Sequence, residues 1–157
     1  MKPMTMVWVD QPEKTRLCVR GFERKLYDAN QVYTPTPFPA SMATLLVIAA
    51  AENLAARRFD VRRAFLRTSS KTLTYIKPPP EAEEPEDTVW KLNVTAYGLE
   101  EAMAEFDDYF STVTAKLPHP LRRCAGEPTI FSSETTSVIF SRHVDDGLAI
   151  GKETPSD

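Results

Sequence analysis

The sequence has few cysteines and glycines and no long hydrophobic run. Its two cysteines, Cys18 and Cys124, lie far apart without the spacing of a metal site, so we expect reduced thiols and no disulfide framework. The longest apolar stretch, residues 42–51, is too short to cross a bilayer, and no signal peptide is recognisable. We therefore expect an intracellular protein, cytoplasmic or nuclear, that makes no membrane contact.

Proline is more abundant than glycine. The 13 prolines and 5 glycines predict many loops with a fixed backbone. A length of 157 residues, 42% of them hydrophobic and 26% charged, is typical of one globular domain with its own core. We expect a poorly patterned segment at 1–13, a domain over 14–150 with an acidic, proline-rich loop at 78–87, and a tail at 151–157.

Negative charge is concentrated in one short segment. The net charge of −3 argues at first against a nucleic-acid partner, but five acidic residues lie within residues 81–87, and the rest of the chain is net basic. Several basic residues flank Asp60: Arg57, Arg58, Arg62, Arg63, Arg67 and Lys71. Such flanks suit a polyanion held over metal ions. The alternative is that they are ordinary solvated surface charges.

Helical and strand-like patterns alternate along the chain. Ser41 is the expected N-cap of a helix that runs to about Ala56, and a second amphipathic helix is predicted over Glu100–Lys116. The predicted strands cover residues 15–22, 58–61, 72–77, 88–92 and 129–132. Long helices interleaved with antiparallel hairpins predict an α+β fold rather than a doubly wound sheet.

A hairpin is predicted near the end of the chain. Residues 137–144 read as a strand, residues 145–147 (Asp-Asp-Gly) as a tight turn, and residues 148–150 as the return strand. Taken alone, Asp-Gly between apolar runs is one of the commonest hairpin signals, so a plain turn is the alternative. The hairpin would carry Asp145 and Asp146 at its tip.

Three aspartates are candidate metal ligands. Besides Asp145 and Asp146, a third aspartate, Asp60, lies in the predicted strand at 58–61. Carboxylates at 4 Å repel by about 4 kcal/mol per pair at an effective dielectric of about 20, so divalent cations are the natural neutraliser. The chemistry that suits such a site is phosphoryl transfer by paired Mg²⁺ ions.

Six blocks of sequence occur in one order between Lys14 and about Ile150. They are residues 14–22 (KTRLCVRGF), 59–66 (FDVRRAFL), 75–79 (YIKPP), 89–93 (VWKLN), 97–99 (YGL) and 143–146 (HVDD). These blocks resemble the reverse transcriptase of copia-type retrotransposons, whose corresponding motifs include K-A-R-L-V-A-R-G-F, M-D-V-K-T-A-F-L and Y-V-D-D. Six blocks that match in the same order are not explained by chance.

The resemblance implies a fingers-and-palm polymerase in which an antiparallel sheet is packed by helices. Asp60, Asp145 and Asp146, with the Val61 carbonyl, would hold two Mg²⁺ ions, or Mn²⁺ in their place. One metal would lower the pKa of the primer 3′-hydroxyl, and the other would bind the triphosphate and stabilise the leaving pyrophosphate. The implied partners are an RNA or DNA template with its primer, deoxynucleoside triphosphates, and the remainder of a retrotransposon polyprotein.

The resemblance also assigns nucleotide contacts. Lys14 and Arg16 match a fingers strand that reaches towards the triphosphate, and Phe65 matches the residue that packs on the sugar and disfavours a 2′-hydroxyl. Tyr97 and Gly98 match a loop beside the incoming nucleotide. Alternatively, Lys14 and Arg16 are solvated surface residues, Phe65 is a core phenylalanine, and Tyr97-Gly98 is a plain turn.

Several residues depart from the family pattern, among them Glu105 and Phe106 where the family has a Trp-Tyr neighbourhood. His143 replaces the tyrosine before Val-Asp-Asp, where an imidazole could stack on the primer terminus. Glu100 and Glu101 stand where the family has Lys-Gln, and Met103 where it has proline, so binding of a polyanion should be weaker. With no primer grip, thumb or ribonuclease H motif, we expect a polyprotein fragment. The alternatives to a polymerase are an inactive remnant that at most binds nucleic acid or a partner, and a cyclase-like two-metal enzyme.

Overall fold

The structure, a computed structural model, describes residues 3–11, 14–24 and 32–152. Within them lie nine strands and two α-helices. The strands are β1 (Met4–Gln11), β2 (Lys14–Val19), β3 (Ala55–Asp60), β4 (Ser69–Lys77), β5 (Trp90–Val94), β6 (Leu121–Arg123), β7 (Ile130–Ser133), β8 (Ile139–His143) and β9 (Asp146–Gly151). The helices are α1 (Pro39–Ala51) and α2 (Ala102–Thr114). Neither is long and apolar enough to span a membrane.

The chain divides into two compact units. The first unit contains residues 1–33 and 63–106, and the second contains residues 34–62 and 107–157. The domain predicted over 14–150 is therefore shared between two units. Gly151, placed in the predicted tail, is the last residue of β9, and residues 153–157 lie outside the described part of the chain.

The first unit is built on a four-stranded mixed sheet in the order β2-β1-β4-β5. β1 is antiparallel to β2 but parallel to β4, so this sheet is mixed, whereas an antiparallel sheet was predicted. The reason is β1 itself, for which no strand was predicted. Its centre, Val7-Trp8-Val9, is 40–48% exposed and shows no inward–outward alternation, although β-branched and aromatic residues favour strands. The core of this unit includes Met4, Val19 and Ile76.

The second unit is built on a five-stranded antiparallel sheet in the order β3-β9-β8-β7-β6. On one face, Leu45 and Ala49 of α1 form a core with Ile150. On the other, Phe110 of α2 contacts the rings of Phe131 and Phe140 at centroid distances of 5.5 and 5.7 Å. Each buried aromatic or aliphatic side chain contributes about 1.5–3 kcal/mol, so both faces of this sheet are stabilised by burial.

Both ends of α1 differ from the prediction. The N-cap is Phe38, followed by Pro39 at the first helical position, where a missing N–H costs nothing. Ser41 is not the cap, and its hydroxyl instead donates to the Glu127 carboxylate over 2.8 Å. The helix ends at Ala51 rather than near Ala56 because Asn53 adopts φ +50°, a common way to end a helix.

Candidate active site

The hairpin of β8 and β9 has a two-residue connection. His143 and Asp146 form its last pair, which leaves Val144 and Asp145 as the loop. The turn predicted at 145–147 is therefore wrong. Val144 has φ +56°, which is a strained conformation for a β-branched residue. Such strain persists only where the surrounding structure enforces it, and it is concentrated at functional sites.

Gly147 explains the misplaced turn. It lies inside β9, where an added Cβ would be 2.1 Å from the Ser141 carbonyl oxygen and 2.7 Å from the Phe59 ring. The glycine is required because neighbouring strands approach closely, not because the chain turns there. An Asp-Gly pair is a turn signal in sequence, and here the same residues serve the packing of the sheet.

The strand register brings the predicted acidic residues to one end of this sheet. Asp60 pairs directly with Asp146 across β3 and β9, and Asp146 pairs with His143 across β9 and β8. These three side chains therefore lie in one row on one face. The Val61 N–H donates to the Asp145 carbonyl over 2.7 Å, which ties the end of β3 to the loop.

Two basic side chains lie against the Asp146 carboxylate of this row. Arg58, two residues before Asp60 and on the same face, places Nη2 3.0 Å from Oδ2 of Asp146. Nδ1 of His143 lies 3.7 Å from Oδ1 of the same carboxylate. The Arg58 side chain is 79% exposed, so its ion pair contributes little stability. Sequence reasoning treated Arg58 only as part of a basic flank.

The donor set fits a hard divalent cation, which prefers carboxylate and carbonyl oxygen ligands. Asp60, Asp145, Asp146 and the Val61 carbonyl are of this kind. In the arrangement described, no three His, Cys, Asp or Glu side chains within residues 3–11, 14–24 and 32–152 form a group that could hold a metal ion. Metal ligation by these residues stays a prediction.

Arg58→Gln is expected to tighten Mn²⁺ binding at this hairpin by about fivefold at most. The guanidinium occupies one oxygen of Asp146 and repels a cation, but an exposed ion pair is worth only about 0.2–1 kcal/mol. A Mn²⁺ titration of the two proteins measures the change. Arg122→Gln, which removes an exposed ion pair with Glu134, is the matched control. Weaker binding by Arg58→Gln would mean that Arg58 orients Asp146 instead of competing for it.

Three of the predicted nucleotide contacts form a cluster in the first unit. The rings of Phe65 and Tyr97 meet edge to face with centroids 5.1 Å apart, and the Arg16 guanidinium lies 5.3 Å from the Tyr97 centroid. Phe65 is half-buried and also contacts Phe106, so it does belong to the edge of the core. An arginine held over an aromatic ring has its guanidinium in a defined place.

Gly98 follows directly after this cluster and has φ +89°. Its carbonyl accepts a hydrogen bond from the Gly21 N–H at 3.1 Å, and the Tyr97 carbonyl accepts one from the Val19 N–H at 2.7 Å. The loop is thus fixed to the end of β2 by main-chain contacts. The Lys14 backbone pairs with Gln11 in the β1–β2 ladder, and its side chain lies outside the described part of the structure.

The acidic departures from the family pattern differ in their surroundings. Glu100 is exposed, whereas the Glu101 side chain is only 4% exposed and forms an ion pair with Arg24. Arg24 also donates to the Thr74 hydroxyl over 3.0 Å. The charge of Glu101 is therefore balanced within the first unit by Arg24. Of the two glutamates, Glu100 is the one expected to weaken the binding of a polyanion. Met103 is 41% exposed.

Arg142 is a residue that sequence reasoning missed. Its side chain is 1% exposed and forms an ion pair with Asp107 of α2. Burial lowers the pKa of its guanidinium to about 10, against the influence of the Asp145 carboxylate, so it is charged at neutral pH. The available signal was strand alternation, because Arg142 shares a face of β8 with the buried Phe140, where an apolar residue is expected.

The comparisons with known proteins agree with the order of the sequence blocks. A family model described as "Reverse transcriptase (RNA-dependent DNA polymerase)" matches residues 3–155. The chain is 30% identical over 150 residues to a retrovirus-related Pol polyprotein from transposon TNT 1-94 of Nicotiana tabacum, an alignment covering 89% of this chain and 11% of that polyprotein. The chain thus spans about a tenth of this relative's length. No solved structure matches. The predicted copia-type resemblance is confirmed, and the chain belongs to the reverse transcriptase family.

Proposed function

We propose that this chain carries fingers and palm elements of an RNA-directed DNA polymerase and adds deoxynucleotides to a primer along a template. The single observation that carries the proposal is the register of β3, β9 and β8, which aligns Asp60, Asp146 and His143, with Asp145 in the adjoining loop. The family match to residues 3–155 supports the same activity. Its context would be a retrotransposon polyprotein.

In this proposal Asp60, Asp145, Asp146 and the Val61 carbonyl hold the divalent cations. When bound, Mg²⁺ supplies a lowered pKa for the attacking hydroxyl and positive charge for the leaving pyrophosphate. The protein would contribute these oxygen ligands from backbone that is held by the Asp60–Asp146 pair and by the bond between the Val61 N–H and the Asp145 carbonyl. Cation binding would replace the contact of Asp146 with Arg58.

His143 is suited to contact the primer terminus. Its side chain is 61% exposed and lines a cavity of about 480 Å³ together with Pro37, Met42 and Leu148. The apolar part of this lining and the imidazole face offer a surface on which a base can stack. The proposal therefore keeps His143 in the role that tyrosine has in the family motif.

The remaining contacts follow from the resemblance and from the cluster in the first unit. Arg16 and Lys14 would contact the triphosphate, and Phe65 would pack on the sugar and disfavour ribonucleotides. Tyr97 and Gly98 would lie beside the incoming nucleotide. The exposed basic residues flanking Asp60, among them Arg62 and Arg63, would contact template and primer phosphates, which makes binding weaken steeply with salt.

Primer extension tests the proposed function. Protein shown to be folded by circular dichroism is incubated with a primed RNA template, the four deoxynucleotides and Mg²⁺ or Mn²⁺, and parallel reactions contain a chelator or ribonucleotides instead. We expect template-dependent extension that requires the divalent cation and is poor with ribonucleotides. A folded protein that extends no primer would contradict the proposal and favour an inactive remnant. Cyclisation of a nucleoside triphosphate without template would favour a cyclase-like enzyme.

A further inference from the structure

We propose that Arg142 is a positioning residue: its buried ion pair with Asp107 fixes the Val144-Asp145 loop and thereby the Asp145 carboxylate. This inference rests on the proposed function, because it assigns the loop a task in metal binding. Arg142 and Asp107 both lie outside the six family-like blocks, and their contact joins β8 to α2 across 35 positions of sequence.

The burial of this pair is difficult to explain by stability alone. The side chains of Arg142 and Asp107 are 1% and 11% exposed. Removing two charges from water costs several kcal/mol per ion, and apolar replacements of buried ion pairs are often neutral or stabilising. The guanidinium also lies over the Phe110 ring, 4.9 Å from its centroid. A charge retained in such a place is better explained by the geometry that it imposes.

The geometry leads from α2 to the loop. One guanidinium nitrogen of Arg142 binds a carboxylate oxygen of Asp107, and the other, Nη1, donates to the Val144 carbonyl over 2.5 Å. The main-chain N–H of Arg142 donates to the Thr129 carbonyl over 2.9 Å, so the backbone of Arg142 is fixed as well as its side chain. Arg142 thus holds the peptide that joins Val144 to Asp145.

Asp107 is itself held in place from a second side. Nη2 of Arg123 lies 2.8 Å from its other carboxylate oxygen, and the same nitrogen contacts the Ser111 hydroxyl at 2.5 Å. The Arg123 guanidinium lies 5.2 Å from the Phe131 ring centroid. With both oxygens of Asp107 bound, the carboxylate cannot rotate away from Arg142. The loop is therefore connected to α2 and β6 by oriented, charge-assisted bonds.

The connection through Arg142 can hold the backbone of Val144 in its strained conformation. A β-branched residue at φ +56° persists only if contacts prevent its peptide from relaxing. The hydrogen bond from Arg142 to the Val144 carbonyl is such a contact. If it is lost, the Val144–Asp145 peptide can rotate, which would move the Asp145 carboxylate and weaken the bond between the Val61 N–H and the Asp145 carbonyl.

Arg142→Met tests the inference, because methionine can fill the space without a charge and Asp107 keeps its contact with Arg123. Two measurements are made on the folded protein: hydrogen exchange of the Val61 amide by NMR, and Mn²⁺ affinity. We expect exchange at Val61 to become about tenfold faster and Mn²⁺ binding about tenfold weaker, the size of one lost hydrogen bond to a charged donor. Arg142→Lys should restore part of both. Arg122→Met, at an exposed position of β6, should change neither.

Unchanged Val61 exchange and unchanged Mn²⁺ affinity in a folded Arg142→Met protein would overturn the inference and leave Arg142 as a packing residue. If Arg142→Met does not fold, Asp107→Asn replaces it, and the same faster exchange at Val61 is expected. The Val61 measurement needs no metal. Faster exchange in the variant, combined with no Mn²⁺ binding by the wild type, would support the positioning role of Arg142 and reject the proposed function.

Discussion

Asp145→Asn is expected to lower the rate of primer extension by about three orders of magnitude without unfolding the protein. A metal ion stabilises transition-state charge by several kcal/mol, and each 1.36 kcal/mol is about tenfold in rate. Asparagine has the same shape as aspartate but no negative charge for the cation. The Asp145 contact with Val61 uses the backbone carbonyl, so the loop geometry should survive the substitution.

The measurement is single-turnover extension of a primed RNA template by proteins with matching circular dichroism spectra and melting temperatures. Asp87→Asn is the matched control, since Asp87 is exposed in the acidic loop of the first unit and removing its charge should leave the rate within about twofold. If Asp145→Asn extends primers as fast as the wild type, Asp145 is not a metal ligand in the reaction.

Gly98→Ala is expected to destabilise the first unit by about 2–6 kcal/mol. The φ of +89° costs about 1–3 kcal/mol for a residue with a side chain. An added Cβ would also lie 2.0 Å from the Val19 carbonyl oxygen, and overpacking against backbone costs about 1–3 kcal/mol more. The free energy of unfolding of a domain is about 5–15 kcal/mol in total, so this single methyl group removes a large share of it. It would also displace the Tyr97 ring from Arg16.

Urea unfolding followed by tryptophan fluorescence measures this loss, because both tryptophans, Trp8 and Trp90, belong to the first unit. Gly126→Ala provides the matched control. An added Cβ at Gly126 meets no atom within 4 Å, so a neutral effect or a small gain in stability is expected. Equal midpoints for Gly98→Ala and the wild type would show that the loop at Gly98 is not held as described.

The elements with strong local signals could be predicted from the sequence. The α2 helix, the β7 strand and the β8–β9 hairpin were placed within a few residues, and α1 was predicted but ends at Ala51 rather than near Ala56. β1 was missed because Val7, Trp8 and Val9 are all half-exposed, so the pattern that marks a half-buried strand is absent. The turn was misplaced because Gly147 serves a close contact between strands, and such a contact is not encoded in the neighbouring residues.

Only part of the candidate site could likewise be predicted from the sequence. Asp60, Asp145 and Asp146 could be selected from the sequence because acidic residues between apolar strands are conspicuous, and the register of β3 and β9 gives Asp60 and Asp146 their pairing. The contact of Arg142 with Asp107 could not be selected, because it depends on how α2 packs on β8. Likewise, that Glu101 is neutralised by Arg24 follows from tertiary structure alone.

Mn²⁺ binding, followed by electron paramagnetic resonance in the absence of nucleic acid, shows whether the aspartates of the β3–β9 pair and the hairpin loop hold divalent cations. We expect binding by the wild type that weakens by about tenfold or more in Asp60→Asn and in Asp146→Asn, with no change in Asp87→Asn. Equal Mn²⁺ affinity in all four folded proteins, or no binding by the folded wild type, would contradict this expectation.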